Sequence, residues 1–268
     1  MDYDVIIHQV VTHFAIVKII QDYNNGITPV ESMELGIIQL DIEKNIIQPF
    51  VVHISNGSKW NGFKKMVSLG MNHIKHGLDH LLFLFVLLLV SPLSVSQNRW
   101  TKFGGLKFTL KRMLKIITAF TIGHSLTLLI LAFVTIPHIS RPVEIIVAFT
   151  ILFSALHALR PIFPNKEMIV TFIFGLVHGM AFASALFNLN LSRPLKLLSV
   201  FGFNIGIEIM QLGILILFTP VLLLSKFPSY KYIRIVGSII AITVSLAWLV
   251  ERITGKSNMI TSLLNGFV

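Results

Sequence analysis

The chain has 268 residues, 54% of them hydrophobic and 13% charged, with a mean hydropathy of +0.79, a balance that excludes an ordinary water-soluble domain. It contains no cysteine, which excludes disulfides, thiolate metal sites and cysteine nucleophiles, so any metal must be held by nitrogen and oxygen. The net charge is +10, but the lysines and arginines sit mostly between apolar runs, which assigns them to membrane topology and lipid head groups rather than to nucleic acid.

Residues 1–62 read as a small extramembrane segment. They hold seven of the twelve acidic residues and no apolar run long enough to span. The stretch from Met33 to Ile54 is β-leaning, with turn signals at Asn25-Gly26 and Asn56-Gly57. The apolar opening, Val5 to Ile20, carries His8, His13 and Lys18 behind two aspartates and does not look like a signal peptide.

Residues 63–268 read as an all-α transmembrane bundle. Six apolar stretches, at 66–92, 113–136, 142–160, 168–188, 197–225 and 233–251, each suit a membrane helix of about 20 residues, with prolines at or near the breaks. The first loop holds Arg99, Lys102, Lys107, Lys111, Arg112 and Lys115 without an acid, and the fifth holds Lys226, Lys231 and Arg234. Both loops belong on the cytoplasmic side, which places the N- and C-termini outside.

An ionisable group in a span costs roughly 2.5–3.5 kcal/mol at the bilayer centre, so each needs a reason. The densest group is Asn72-His73-Ile74-Lys75-His76-Gly77-Leu78-Asp79-His80. On one continuous helix His73, His76 and His80 share a narrow arc with Asp79 on its edge, and His76 and His80 have the i, i+4 spacing with which a helix offers two imidazoles to one ion. The second span adds Gly123-His124-Ser125 and the fourth adds Gly175, His178 and Gly179. The fifth adds Asn204, Glu208 and Gln211 on one face. The topology brings these groups to a similar depth from four helices, and the glycines beside them permit close helix contact. His138 and His157 read as packing or interfacial residues, and interhelical hydrogen bonding competes with a metal role for Glu208, Asn204 and Gln211. Three imidazoles and a carboxylate in eight residues exceed what packing requires. Arg141 and Glu144 read as interfacial charges, and Trp60, Trp100 and Trp248 as belt or packing residues.

These motifs resemble the HupE/UreJ family of bacterial membrane proteins. The resemblance rests on His73 with Asp79-His80 inside Gly77-Leu78-Asp79-His80-Leu81-Leu82-Phe83, and on the segments around Gly123-His124-Ser125, His178-Gly179-Met180-Ala181 and Asn204-Ile205-Gly206-Ile207-Glu208. It implies a multi-pass protein of the bacterial cytoplasmic membrane, linked to nickel or cobalt supply, with His73, Asp79 and His80 as the metal-binding signature. Two positions depart from the pattern. Ile74 stands where a proline often follows the first histidine, and the second motif, richer in histidine and ending in Glu in nickel-linked members, is reduced to His178-Gly179-Met180-Ala181. The N-terminal segment resembles the tail of a longer extracytoplasmic domain in some relatives, which implies a truncated start.

Two mechanisms suit the constellation. A divalent-metal permease for Ni, Co or Zn would use His73, His76, Asp79 and His80 as an outer station and His124, His178 and Glu208 deeper, and uptake would weaken as pH falls toward about 6.5, where free histidine protonates. A zinc-dependent intramembrane hydrolase would hold zinc on three imidazoles drawn from His76, His80, His124 and His178. Asp79 or Glu208 would serve as general base and Ser125 as an oxyanion donor. A third reading is a metal-binding accessory protein that neither transports nor hydrolyses. A closed three-histidine centre would favour hydrolysis, and open stations along a polar path would favour transport.

Overall fold

The computed structural model describes residues 14–28, 32–41, 46–47, 51, 57–134, 140–187 and 191–265. Asn56, His138 and the chain before Phe14 lie outside the described residues. The chain divides into two compact units, Met1–Lys65 and Met66–Val268.

In the first unit the β-leaning stretch joins the end of the apolar opening in a small antiparallel sheet. Strand β1 (Phe14–Ile19) pairs with β2 (Met33–Asp41), and β2 pairs with β3 (Ile46–Ile47). Between β1 and β2 a 3₁₀ turn, Tyr23–Asn25, is held at its start by Asp22, whose carboxylate accepts from the Asn25 backbone N–H at 3.3 Å and from its side-chain amide at 2.6 Å. Gly26 ends the turn at φ 73°, the left-handed region that glycine enters without steric cost.

Among the described residues the remaining chain is mostly helical, with one hairpin. Helix α1 (Lys59–His76) and helix α2 (Leu78–Val90) are followed by β4 (Leu93–Ser96) and β5 (Arg99–Phe103). Then come α3 (Leu106–Leu131), α4 (Ser140–Leu159), α5 (Glu167–Phe187), α6 (Arg193–Leu223), α7 (Tyr230–Thr254) and the short α8 (Met259–Asn265). Helix α3 packs along α5, and α4 along α7. A buried cluster of Phe83, Leu87, Ile116, Phe120, Val147, Ile151 and Trp248 joins α2, α3, α4 and α7.

Four helices, α3, α4, α6 and α7, are long and apolar enough to cross a membrane, and the pair α1 and α2 supplies a fifth crossing if it is one broken span. Of α5, the stretch Glu167–Phe182 counts among the shorter apolar helices. Among the described residues the supported number is therefore four to five, and the six read from hydropathy would need α5 as a further crossing.

Three local features depart from the expectations. First, the continuous helix expected over 66–92 is broken. Its halves meet at 70°, because Gly77, at φ −80° and ψ 89°, leaves helical geometry. A methyl group there would lie 2.6 Å from the His73 carbonyl oxygen and 3.0 Å from His80 Nδ1, so the bend closes only over glycine. The single arc drawn through His73, His76 and His80 does not exist. Second, the first basic loop is shorter than expected: Arg99 and Lys102 lie on a β-hairpin whose turn residues, Gln97 and Asn98, both have positive φ, as a tight hairpin turn of matching twist demands, while Lys107, Lys111, Arg112 and Lys115 already belong to α3. Third, α5 opens on Glu167, whose carboxylate pairs with Arg112 in a largely buried ion pair. Arg112 also donates to the carbonyls of Val90 and Leu93, at 3.3 and 2.8 Å, and so holds the end of α2.

Candidate metal centre

Close helix crossings place the site. Alanine at Gly70 would run into the Phe203 carbonyl, and at Gly206 into the Val67 carbonyl, so α1 and α6 touch backbone to backbone. Gly123 and Gly175 stand in the same relation to the carbonyls of Phe172 and Phe120, which brings α3 against α5. Backbone contact of this kind is what small residues provide in membrane bundles. His73 lies one turn beyond Gly70, His124 follows Gly123, and His178 lies one turn beyond Gly175.

His73, His80 and His124 each offer one ring nitrogen, and those nitrogens all lie within 4.8 Å of one another. His80 and His124 are buried and His73 is partly so. Three nitrogens around zinc at about 2.1 Å stand roughly 3.4 Å apart, so modest side-chain rotation closes the set. His178 adjoins the trio, its ring centroid 4.9 Å from that of His80. Phe83, Phe120, Phe182 and Phe203 wall the cluster with apolar rings.

Hydrogen bonding selects which nitrogens are free. Asp79 Oδ1 accepts from the His80 backbone N–H and stands 2.8 Å from His80 Nδ1. The proton is therefore assigned to Nδ1, and Nε2, buried without a partner, presents its lone pair. Around His178, the Thr150 hydroxyl donates its one hydrogen to the Val147 carbonyl at 2.7 Å and can only accept from His178 Nε2, 3.0 Å away. His178 Nδ1 is then the lone-pair nitrogen, again buried and unpartnered. Both ring nitrogens of His124 and Nε2 of His73 also lack partners. Buried polar atoms without partners cost about 1–3 kcal/mol each, and a bound ion would remove that cost.

Of the other expected site residues, Asp79 and Asn204 adjoin the imidazoles, and His76, Glu208, Gln211 and Ser125 stand elsewhere. His76 is exposed, and its Nδ1 lies 3.1 Å from the Asn72 carbonyl, where it caps the last turn of α1. Asp79 orients His80 instead of facing the imidazole trio. Glu208 accepts from the Thr118 hydroxyl at 3.3 Å, and the Thr121 hydroxyl donates to Gln211 at 3.1 Å; these contacts fall one to two turns along α3 from His124. Asn204 donates to the Val200 carbonyl at 2.7 Å, and its buried carboxamide stands beside His124. The Ser125 hydroxyl donates to the Thr121 carbonyl at 2.6 Å.

Thr150 and the phenylalanine wall carry no sequence signal, because a threonine and scattered phenylalanines are ordinary membrane-helix residues. His157 serves the fold: its Nδ1 accepts from the backbone N–H groups of Ile162 and Phe163, at 3.0 and 3.2 Å, and so holds the turn after α4.

Apolar helices and a buried imidazole centre define a membrane-embedded helical protein with a metal-competent core. The chain belongs to the HupE/UreJ family: the family described as HupE / UreJ protein matches residues 50–252. That family is associated with nickel or cobalt transport or an accessory function. Comparison with curated proteins and with solved structures found no match.

Proposed function

We propose that the protein is a divalent transition-metal permease, with the ion held as cargo by His73, His80 and His124 and with His178 as a fourth donor. The observation that carries this reading is the convergence of unpartnered imidazole nitrogens inside an apolar bundle. The broken helix supports movement over static storage. Non-helical backbone within a bundle is tolerated where it is buried in protein or lines a cavity, and transporters commonly build their substrate sites on discontinuous helices. Here the break at Gly77 separates His73 from Asp79 and His80. Glu208 with Thr118, and Gln211 with Thr121, supply a second polar station between α3 and α6. Imidazoles with no thiolate suit nickel, cobalt or zinc.

In this reading the chain makes six crossings of a bacterial cytoplasmic membrane, counting α1 with α2 as one and α5 as another. Residues 1–62 stand outside as a separate segment from the bundle of 63–268, and the basic hairpin faces the cytoplasm. Asp79 acts through His80, keeping Nε2 aimed and basic. Each imidazole must be neutral to ligate, so loading releases any proton it carries.

A zinc-dependent hydrolase is the second reading, favoured by one observation: the imidazoles close on a single point rather than forming a line. Against it, the Ser125 hydroxyl is spent on its own helix. Uptake of nickel, cobalt or zinc into vesicles carrying the purified protein tests the proposal. Accumulation that is lost in His80→Ala and impaired in Glu208→Gln is expected. Vesicles that bind metal yet never accumulate it would overturn transport in favour of the hydrolase or accessory readings.

A further inference from the structure

A cavity of about 210 Å³ opens between the β4–β5 hairpin and the turn joining α6 to α7, and none of the clustered imidazoles lines it. Its volume is below the 300–1,000 Å³ typical of pockets for drug-sized ligands, so it suits a small group. Lys102, Lys226, Lys231 and Arg234 line it, and among the described residues no carboxylate does.

The charge there is uncompensated. Lys226 lies over the Phe103 ring at 5.8 Å and Lys231 over the Tyr232 ring at 4.9 Å, contacts that position an ammonium without neutralising it. Among the described residues, none of the three lysines has an acidic partner. The nearby Glu167 is committed to Arg112. Arg234 donates to the carbonyls of Ala158 and Leu159, which anchors its guanidinium at the inner edge.

Two long-range hydrogen bonds tie the frame around these cations to the helices. The Tyr230 hydroxyl donates to the Leu89 carbonyl at 3.0 Å, and the Trp100 indole donates to the His157 carbonyl at 3.0 Å. Trp100, the buried Tyr230 and the exposed Phe227 line the pocket, a mixture of amphipathic and apolar rings of the kind found at the depth of lipid head groups.

We infer that this pocket is a binding site for a phosphate group, the head group of an anionic phospholipid or a free phosphate, held by Lys102, Lys226, Lys231 and Arg234 between the hairpin and the start of α7. The inference is independent of metal transport. A compact tetrahedral anion can meet several lysines at once, and anionic lipid attracts each lysine near its surface.

The test uses the full chain in neutral detergent, titrated with phosphatidylglycerol, phosphatidylcholine or inorganic phosphate, with bound ligand read by native mass spectrometry. Wild type should hold phosphatidylglycerol or inorganic phosphate about tenfold to a hundredfold more tightly than a Lys102→Gln, Lys226→Gln, Lys231→Gln variant. A Lys107→Gln, Lys111→Gln variant, which removes charge from the start of α3 instead, should match wild type. Displacement of phosphatidylglycerol by inorganic phosphate identifies free phosphate as a competent ligand; retention of the lipid in its presence identifies the lipid. Equal binding by wild type and the triple variant overturns the site, as does an equal loss in the α3 variant, which would reduce the effect to general surface charge. Far-ultraviolet circular dichroism of each variant verifies that the bundle is folded, and preserved helicity makes any loss of ligand attributable to the pocket.

Discussion

Replacing Gly179 with alanine tests whether helix contact sets the imidazole geometry. The new methyl carbon would lie 2.6 Å from the His124 carbonyl oxygen and 3.0 Å from Thr127 Cβ. A comfortable carbon–oxygen contact is about 3.3 Å, so α3 and α5 would have to separate by roughly 0.7 Å at this crossing. Overpacking of this kind costs about 1–3 kcal/mol. The displacement also exceeds the tolerance of about 0.5 Å within which a binding constellation must be held. It acts on the helix that carries His124 and on the residue next to His178. Gly179→Ala should therefore bind nickel or zinc at least tenfold more weakly while remaining helical, with a lowered unfolding temperature in detergent. Isothermal titration of the purified chain, beside a thermal melt, measures both. Wild-type affinity together with a wild-type melt would refute the claim that this contact positions the centre.

Asp79→Asn should weaken metal binding by about 10- to 100-fold, the usual effect of losing a carboxylate that orients a ligating histidine, whereas His76→Ala should leave affinity unchanged because that ring caps α1; reversed results in the same titration would return His76 to the site. Chelation should lower the unfolding temperature of the metal-loaded wild type, since an ion at 100 times its dissociation constant contributes about 2.7 kcal/mol; a His80→Ala, His124→Ala variant should show no such drop in the same melt. Glu167→Gln should destabilise the fold by about 3 kcal/mol, because Arg112 would be left in a largely buried position without its counter-charge; an unchanged melting curve would show that the carbonyls of Val90 and Leu93 suffice. A reporter fused after Arg112 should read cytoplasmic and one after Val268 extracytoplasmic, and the opposite signal at either position would overturn the topology.

The solvent, the helical class, the absence of thiolate chemistry and the family are all legible in the amino-acid sequence, because each depends on composition or on short contiguous motifs. So are His73, His80, His124 and His178 as candidates, since an imidazole in an apolar run has few structural excuses. Which polar groups share one point is not legible there. Periodicity on an unbroken helix puts His76 with His80, but the bend at Gly77 separates them and turns His76 into a cap. Asp79 reads as a ligand, yet its oxygen lies on His80 Nδ1, and Glu208 shares a face with Asn204 yet lies beyond the imidazoles, against Thr118. The Arg112 and Glu167 pair joins residues 55 positions apart, and the basic pocket is assembled from a hairpin and a turn more than a hundred residues distant in the chain. Such arrangements arise from backbone bends and glycine crossings that act over a few ångströms in space, between residues whose separation along the chain carries no trace of that proximity.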